Sequence, residues 1–168
     1  MKLVIMTKST FFVEEDKILT TLFDEGMDNL HLFKPGSTPL YAERLLSLIP
    51  EDYYRKITVH DHFYLKNEYD LAGIHLDSAD TEIPNNYKGK IGRTCTDIQM
   101  LKEMKKKSSC VFLKNIFDCI EFSEEKKTFT QQQLEDAADK GLIDRHVYAL
   151  GGMSLDNIRM AKTLGFGG

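Results

Sequence analysis

The sequence predicts an α/β protein with seven parallel strands, and it favours a (β/α) barrel over an open doubly wound sheet. Short runs rich in β-forming residues alternate with amphipathic helical stretches along the chain. Several strand runs are apolar along most of their length, as strands covered by helices require. No GxGxxG or GxxxxGK[ST] motif follows the first run, which disfavours the alternative of an open, nucleotide-binding sheet. This alternation predicts parallel strands joined by right-handed crossovers.

Seven segments carry the strand pattern, from KLVIMT near the start to HVYAL near the end. They are rich in β-branched and aromatic residues and are separated by polar or helical stretches. The predicted strands cover residues 2–7, 29–33, 56–60, 72–76, 90–94, 110–116 and 146–150.

Helices are predicted between most of the strands because apolar residues recur there at helical spacing. The connection from Leu76 to Lys90 is short and contains Pro84, so no long helix is expected in it. The apolar faces are predicted to consist of Ile18, Leu19, Leu22 and Phe23; Tyr41, Leu45, Leu46 and Ile49; Ile98, Leu101 and Met104; Leu134, Ala137 and Ala138; and Leu155, Ile158, Met160 and Ala161.

Composition indicates one globular domain over residues 1–168, with 42% hydrophobic and 29% charged residues. The formal net charge of −4 and the lack of a basic stripe argue against a nucleic-acid partner. No stretch is apolar for long enough to span a membrane. The three cysteines are an odd number without CxxC spacing, which predicts reduced thiols and a cytoplasmic location.

Polar residues follow the predicted strands at their carboxyl ends, where a parallel barrel places its chemistry. Such residues occur after five of the seven strands. They are His31 and Lys34; His60, Asp61 and His62; Asp77 and Asp80; Arg93 and Thr94; and Gly151 and Gly152.

Asp61 and Asp80 follow adjacent strands and form a candidate Mg²⁺ site, because Mg²⁺ prefers carboxylate oxygens. The alternative is that each carboxylate caps a helix or a turn. Three nearby histidines, His60, His62 and His75, raise the possibility of a zinc site, but they lack a tight ligand motif. His75 is predicted to be buried within its strand.

Gly151 and Gly152 follow the seventh strand and are predicted to open a helix. Glycines let the backbone approach a ligand, and the N–H groups of a helix N-terminus attract phosphate. A phosphate site therefore competes with two simpler interpretations. The glycines can make a tight turn, and Ser154 or Asp156 can cap the helix.

The segments HLFKP, GIHLDSAD, IGRTCT and ALGGMSLDNI…GFGG, in this order and spacing, resemble the thiamine phosphate synthase family and its TenI-like thiazole tautomerase relatives. The resemblance covers nearly the whole chain and implies a (βα)8 barrel. It also implies a transferase of thiamine biosynthesis that acts on phosphorylated small molecules. The implied reaction joins an aminopyrimidine diphosphate to a thiazole phosphate with Mg²⁺ and releases pyrophosphate.

The resemblance places the family's two metal-binding aspartates on Asp61 and Asp80. It keeps the glycine pair as Gly151 and Gly152 and replaces a serine with Thr94, which retains a hydroxyl. These residues are therefore the expected metal ligands and part of the substrate and phosphate site.

The remaining expected binding residues depart from the family pattern. The Gln-Leu-Arg segment of the family falls on His31, Leu32 and Phe33, so a pyrophosphate-binding arginine is replaced by phenylalanine. Lys34 is shifted by one position, and His60 stands where the family has asparagine. The resemblance assigns no catalytic residue.

Two further family features are lost. The tautomerase histidine falls on Thr96, and the Thr-x-Thr-Lys anion loop falls on Cys119, Glu121 and Phe122. Lys114, or the lysines of the EEKK run, Lys126 and Lys127, can restore positive charge if that loop closes over the site; the alternative is a solvated charge run. The function is therefore open between a thiamine phosphate synthase, a TenI-like thiazole-processing protein and a non-catalytic small-molecule-binding barrel.

The family continues after GFGG with an eighth strand and a helix, so the sequence predicts a barrel that is C-terminally truncated relative to the family. The first and seventh strands are then expected to be unpaired edges. Such edges make a homo-oligomer possible. A gene fragment, a gap filled by another subunit, a binding module or an open sheet would each explain the ending.

Overall fold

The computed structural model describes residues 1–118 and 126–168, which divide into two compact units. The N-terminal unit comprises Lys2–His75 and Asp80–Lys90. The C-terminal unit comprises Leu76–Ala79 and Ile91–Gly168, together with Met1. The assignment of residues 1–168 to one domain stays a prediction.

All seven predicted strands are present, and every observed pair within a unit is parallel. In the N-terminal unit β1 to β4 pair in chain order, and in the C-terminal unit β5 to β7 do the same. The predicted parallel α/β class is therefore confirmed. The strands are β1 (Val4–Met6), β2 (Asn29–Leu32), β3 (Ile57–Val59), β4 (Gly73–Leu76), β5 (Lys90–Cys95), β6 (Cys110–Leu113) and β7 (Val147–Ala149).

Helices separate most of the strands, and the segment between β4 and β5 contains none, as predicted. The helix α3 was not predicted, because four residues are too few to show a helical period. No helix among the described residues is long and apolar enough to cross a membrane. The helices are α1 (Glu15–Asp24), α2 (Pro39–Leu48), α3 (Leu65–Glu68), α4 (Leu101–Lys106), α5 (Gln131–Asp139) and α6 (Ile158–Thr163), with 3-10 turns at Glu51–Lys56 and Ile98–Met100.

The predicted apolar face of the last helix is wrong at Leu155. This side chain is 88% exposed and lies before α6, which begins at Ile158.

A capping box fixes the start of α5. The Thr130 hydroxyl accepts a hydrogen bond from the Gln133 N–H, and the Gln133 side chain accepts one from the Thr130 N–H.

The strands of the N-terminal unit have two different faces. Alternate residues of a strand point to opposite sides of a sheet. One face carries buried aliphatic side chains, including Leu30, Val59 and Ile74. The register pairs His31 with Thr58 and Thr58 with Gly73, so the other face carries His31, Thr58, His60 and His75. The three histidines His31, His60 and His75 thus share one face of this sheet.

The chain's last residues pair with β7. The Gly167 N–H donates to the Val147 carbonyl at 2.8 Å, and the Ala149 N–H donates to the Gly168 carbonyl at 2.9 Å. The prediction that β7 is an unpaired edge is therefore wrong over this stretch. One of the two edges on which the predicted self-association depended is covered by the chain itself.

Candidate functional site

Three histidines meet on the polar face of the N-terminal unit: His31 from β2, His60 directly after β3 and His75 from β4. They leave 2%, 5% and 0% of their surface exposed. The His60 and His75 rings stack with centroids 4.4 Å apart, and His31 Nδ1 lies 2.8 Å from His60 Nε2. The burial predicted for His75 is confirmed.

The predicted grouping of His60, His62 and His75 is wrong in one member. His62 has a positive φ of 50°, and its Nε2 lies 2.9 Å from the Ser37 carbonyl oxygen. The third member of the cluster is His31, which precedes His60 by 29 residues. Proximity along the sequence suggested His62, whereas strand register selects His31.

Burial lowers the pKa of His31 well below its ordinary value of 6.5, and the neighbouring His60 lowers it further. Removing an imidazolium from water is unfavourable, so the folded chain favours the neutral ring. A neutral imidazole can both donate and accept a hydrogen bond, or it can bind a metal through its free nitrogen lone pair.

Acidification is expected to destabilise the fold through His31. Because its pKa is lowered in the folded chain, the unfolded chain takes up a proton below about pH 6.5 that the folded chain does not bind. The contribution of His31 to stability is therefore full above this pH. It falls by up to about 1.4 kcal/mol per pH unit as the pH drops toward the folded-state pKa.

Urea unfolding in metal-free buffer at about pH 7.5 and about pH 5.5 measures this effect. We expect wild type to lose about 1 kcal/mol more on acidification than His31→Gln does. His146→Gln, at a half-exposed histidine outside the cluster, should keep the wild-type dependence. Equal losses in wild type and His31→Gln would contradict a neutral, buried His31.

Lys34 forms a buried ion pair with Glu15. Its Nζ lies 2.6 Å from Glu15 Oε1, and the two side chains are 2% and 3% exposed. The ammonium also donates to the Thr10 carbonyl at 2.9 Å and lies 4.5 Å from the centroid of the Phe11 ring. The sequence did not single out Glu15, whose position at the first turn of α1 gives no sign of a distant partner.

Asp61 follows β3 and His60, and its side chain is partly buried. Its Oδ2 accepts a 3.2 Å hydrogen bond from the backbone N–H of Lys34, so the main chain of Lys34, rather than its ammonium, contacts this carboxylate. Asp80 is exposed in the segment after β4. The role of both aspartates as joint Mg²⁺ ligands stays a prediction.

Thr94 lies on β5 in the C-terminal unit. Its register with Phe112 and Tyr148 places these three residues on one face, where the two aromatic rings stack with centroids 5.5 Å apart. The Thr94 hydroxyl is 3.4 Å from Asp77 Oδ1, a long contact. Arg93 falls on the opposite face with Cys95, which packs in the apolar core of this unit.

Gly151 and Gly152 form a tight turn with φ values of 97° and 61°. The Gly151 carbonyl accepts a hydrogen bond from the Phe117 N–H at 3.1 Å, so the turn packs against the segment that follows β6. The prediction that the pair opens a helix is wrong, because α6 begins at Ile158. A phosphate-binding role for the pair stays a prediction.

Asn157 holds this turn together by hydrogen bonds, and the sequence analysis did not identify it. Its Nδ2 donates to the Gly152 carbonyl at 2.9 Å, and its Oδ1 accepts from the Ser154 N–H at 2.8 Å. The predicted capping of α6 by Ser154 or Asp156 is wrong, because the residue at the cap position is Asn157.

Several predicted features concern the segment after β6. Cys119, Glu121 and Phe122 lie outside the described residues. The Lys127 N–H donates to Asp118 Oδ1 at 2.8 Å, and closure of Lys126 and Lys127 over a ligand stays a prediction. Of the other cysteines, Cys95 is buried, and this burial raises the pKa of its thiol, in agreement with a packing role.

Comparisons with solved structures identify close neighbours of this fold. The crystal structure of a thiamine phosphate pyrophosphorylase from Bacteroides thetaiotaomicron is 45% identical, with a TM-score of 0.89 over 100% of this chain and 81% of that chain. A thiamine phosphate pyrophosphorylase from Pyrococcus furiosus, at 19% identity and a TM-score of 0.72, covers 99% of this chain and 83% of its own and shows the fold alone. No protein-family model and no curated protein matches the chain. The predicted fold class, a (β/α)8-type architecture with seven strands, is thereby confirmed.

Proposed function

The chain belongs to the thiamine phosphate pyrophosphorylase family, as its motifs predicted, and on this basis we propose that it is a transferase of thiamine biosynthesis. The proposed reaction joins an aminopyrimidine diphosphate to a thiazole phosphate and releases pyrophosphate. The observation that carries the proposal is the 45% identity to a protein of that name over the whole of this chain. A cytoplasmic location and a homo-oligomeric state belong to the same proposal and rest on sequence alone.

Asp61 and Asp80 are the proposed ligands of Mg²⁺, and their carboxylate oxygens fit the preference of a hard cation. The hydrogen bond from the Lys34 N–H orients the Asp61 carboxylate and leaves it further acceptor positions. Bound Mg²⁺ would neutralise the diphosphate and stabilise the negative charge that grows as it departs.

The remaining proposed contacts come from neutral groups. In the N-terminal unit His31 and His60 present ring nitrogens, which can hold a substrate by hydrogen bonds. In the C-terminal unit the Thr94 hydroxyl and the backbone of Gly151 and Gly152 can bind phosphate oxygens. Lys34 belongs to this set only if its ammonium leaves Glu15.

The same ion pair favours a second candidate function. Phe33 replaces a pyrophosphate-binding arginine of the family, and the Lys34 ammonium is held by Glu15. Two cations that would stabilise a leaving pyrophosphate are thus absent or occupied. A TenI-like thiazole-processing protein, or a non-catalytic binder of a small molecule, needs no such cations.

Thermal unfolding followed by circular dichroism tests the metal–diphosphate site. With Mg²⁺ and pyrophosphate at about 100 times their dissociation constant, binding adds about 2.7 kcal/mol of stability. For a chain of this size we expect Tm to rise by about 5–10 °C with both ligands and to stay unchanged with either alone. Asp61→Asn should abolish the shift, whereas Asp139→Asn, at an exposed carboxylate of α5, should preserve it.

A turnover assay with both substrates then tests the reaction itself. Release of pyrophosphate by wild type and its loss in Asp61→Asn would support the synthase. Cooperative unfolding without a shift from Mg²⁺ and pyrophosphate would contradict it. A shift with thiazole phosphate alone would then favour the second candidate.

A further inference from the structure

We propose that His31, His60 and His75 form a binding site for one divalent transition-metal ion of the zinc class. In the part of the chain that the structure describes, they are the one group of three or more histidine, cysteine or acidic residues whose ligand atoms converge, all lying within 4.8 Å of one another. Its three ligands differ from the proposed Mg²⁺ ligands Asp61 and Asp80, and it shares His31 and His60 with the proposed substrate contacts. Metal binding by the cluster does not depend on the proposed reaction.

Strand register produces the convergence. Val59 pairs with Ile74, so the next residues along β3 and β4 place His60 beside His75, and their rings stack. His31 on β2 is in register with Thr58, two residues before His60, and therefore points to the same face. Because β2, β4 and the residue directly after β3 supply one ligand each, strand register brings the three imidazoles together.

The chemistry of this set suits a borderline metal better than Mg²⁺. Imidazole nitrogen is a ligand for zinc, copper and nickel, whereas Mg²⁺ selects oxygen. Three buried imidazoles on one face of the sheet form a donor set made only of nitrogen.

The ligand atoms lie within 4.8 Å of one another, so a tetrahedral site requires the side chains to move. Zinc–nitrogen bonds of about 2.0–2.1 Å in a tetrahedral site separate the ligand nitrogens by about 3.3 Å. His31 Nδ1 and His60 Nε2 are 2.8 Å apart, so binding replaces their hydrogen bond and opens this pair slightly. Three protein ligands leave a fourth position for water or an anionic ligand, as in open zinc sites.

Metal titration of the full chain tests the proposal without any substrate. The protein is stripped with a chelator and titrated with Co²⁺, whose visible absorption reports tetrahedral coordination, and then with Zn²⁺ in a calorimeter. We expect one ion per chain and displacement of Co²⁺ by Zn²⁺. His60→Gln and His75→Gln should each weaken Zn²⁺ binding by about 100-fold or more.

Matched histidines serve as controls. His62→Gln and His146→Gln remove the chain's two remaining histidines and should retain wild-type affinity, and Asp61→Asn should retain it as well. If His75→Gln does not unfold cooperatively, His60→Gln at the strand end carries the comparison. Absence of binding in wild type, an octahedral Co²⁺ spectrum, or equal affinity in wild type and His60→Gln would overturn the proposal. Loss of binding in His62→Gln would do the same.

Discussion

Replacing Lys34 with methionine is expected to lower the free energy of unfolding by about 3–5 kcal/mol. The substitution keeps the apolar length of the side chain but removes the charge that faces Glu15. The Glu15 carboxylate would then be buried without a counterion, and its Oε2 already lacks a hydrogen-bond partner among the described residues. A buried uncompensated charge is among the most destabilising changes that one substitution can make.

A double variant separates the ion pair from simple packing. Glu15→Leu combined with Lys34→Met removes both charges, so we expect it to recover a large part of the stability that Lys34→Met loses. Urea unfolding at neutral pH measures the free energy of unfolding of wild type, of Lys34→Met and of the double variant. Lys17→Met is the matched control, because Lys17 lies on the helix that carries Glu15 and pairs with Glu14 at the exposed surface. This exposed pair should contribute less than about 0.5 kcal/mol.

The outcome also decides between two roles for Lys34. A large loss of stability in Lys34→Met, with no recovery in the double variant, would mean that the ammonium matters for contacts other than Glu15. A loss below about 1 kcal/mol would contradict the buried pair. If Lys34→Met lost less than about 1 kcal/mol and also lost the rise in Tm with Mg²⁺ and pyrophosphate, Lys34 would belong to the phosphate site, as the family motif implies.

Strand positions were predictable because each of them has a strong local signal. The runs at Ile57–Val59 and Cys110–Leu113 are short, rich in β-forming residues and bounded by polar residues, and the structure places strands there within a few residues of the predicted ends. Parallel pairing followed from the alternation with helices. Leu155 was assigned to the last helix because the apolar spacing extends to the N-terminal side of Ile158. The turn around Asn157 instead determines where the helix starts.

The contacts of the candidate site were less predictable, because they depend on register and on long-range packing. The sequence marked His60 and His75 but grouped them with His62, which follows His60 by two residues and would share its face if the strand continued. The strand β3 ends at Val59, and His62, with a positive φ of 50°, contacts the Ser37 carbonyl instead. Lys34 follows a strand end, where a phosphate-binding cation is expected. Its partner Glu15 lies 19 residues away, and no local pattern joins the two.

Replacing Gly152 with alanine is expected to lower the free energy of unfolding by about 2–4 kcal/mol. A Cβ at this position would lie 2.2 Å from the Asp118 carbonyl oxygen and 2.7 Å from Phe117 Cβ, so the backbone of one segment must move. The φ of 61° adds the strain of a left-handed conformation, which costs an L-residue about 1–2 kcal/mol.

Gly141 provides a control with nearly the same backbone conformation, since its φ is 67° and no atom lies within 4 Å of an added Cβ. Gly141→Ala should therefore cost only the conformational part, and the difference between the two variants in urea unfolding reports the contact with Asp118. Equal losses in the two variants would mean that the turn at Gly152 does not pack tightly against the segment after β6. Close approach to a phosphate would then be the stronger reason for the glycine pair.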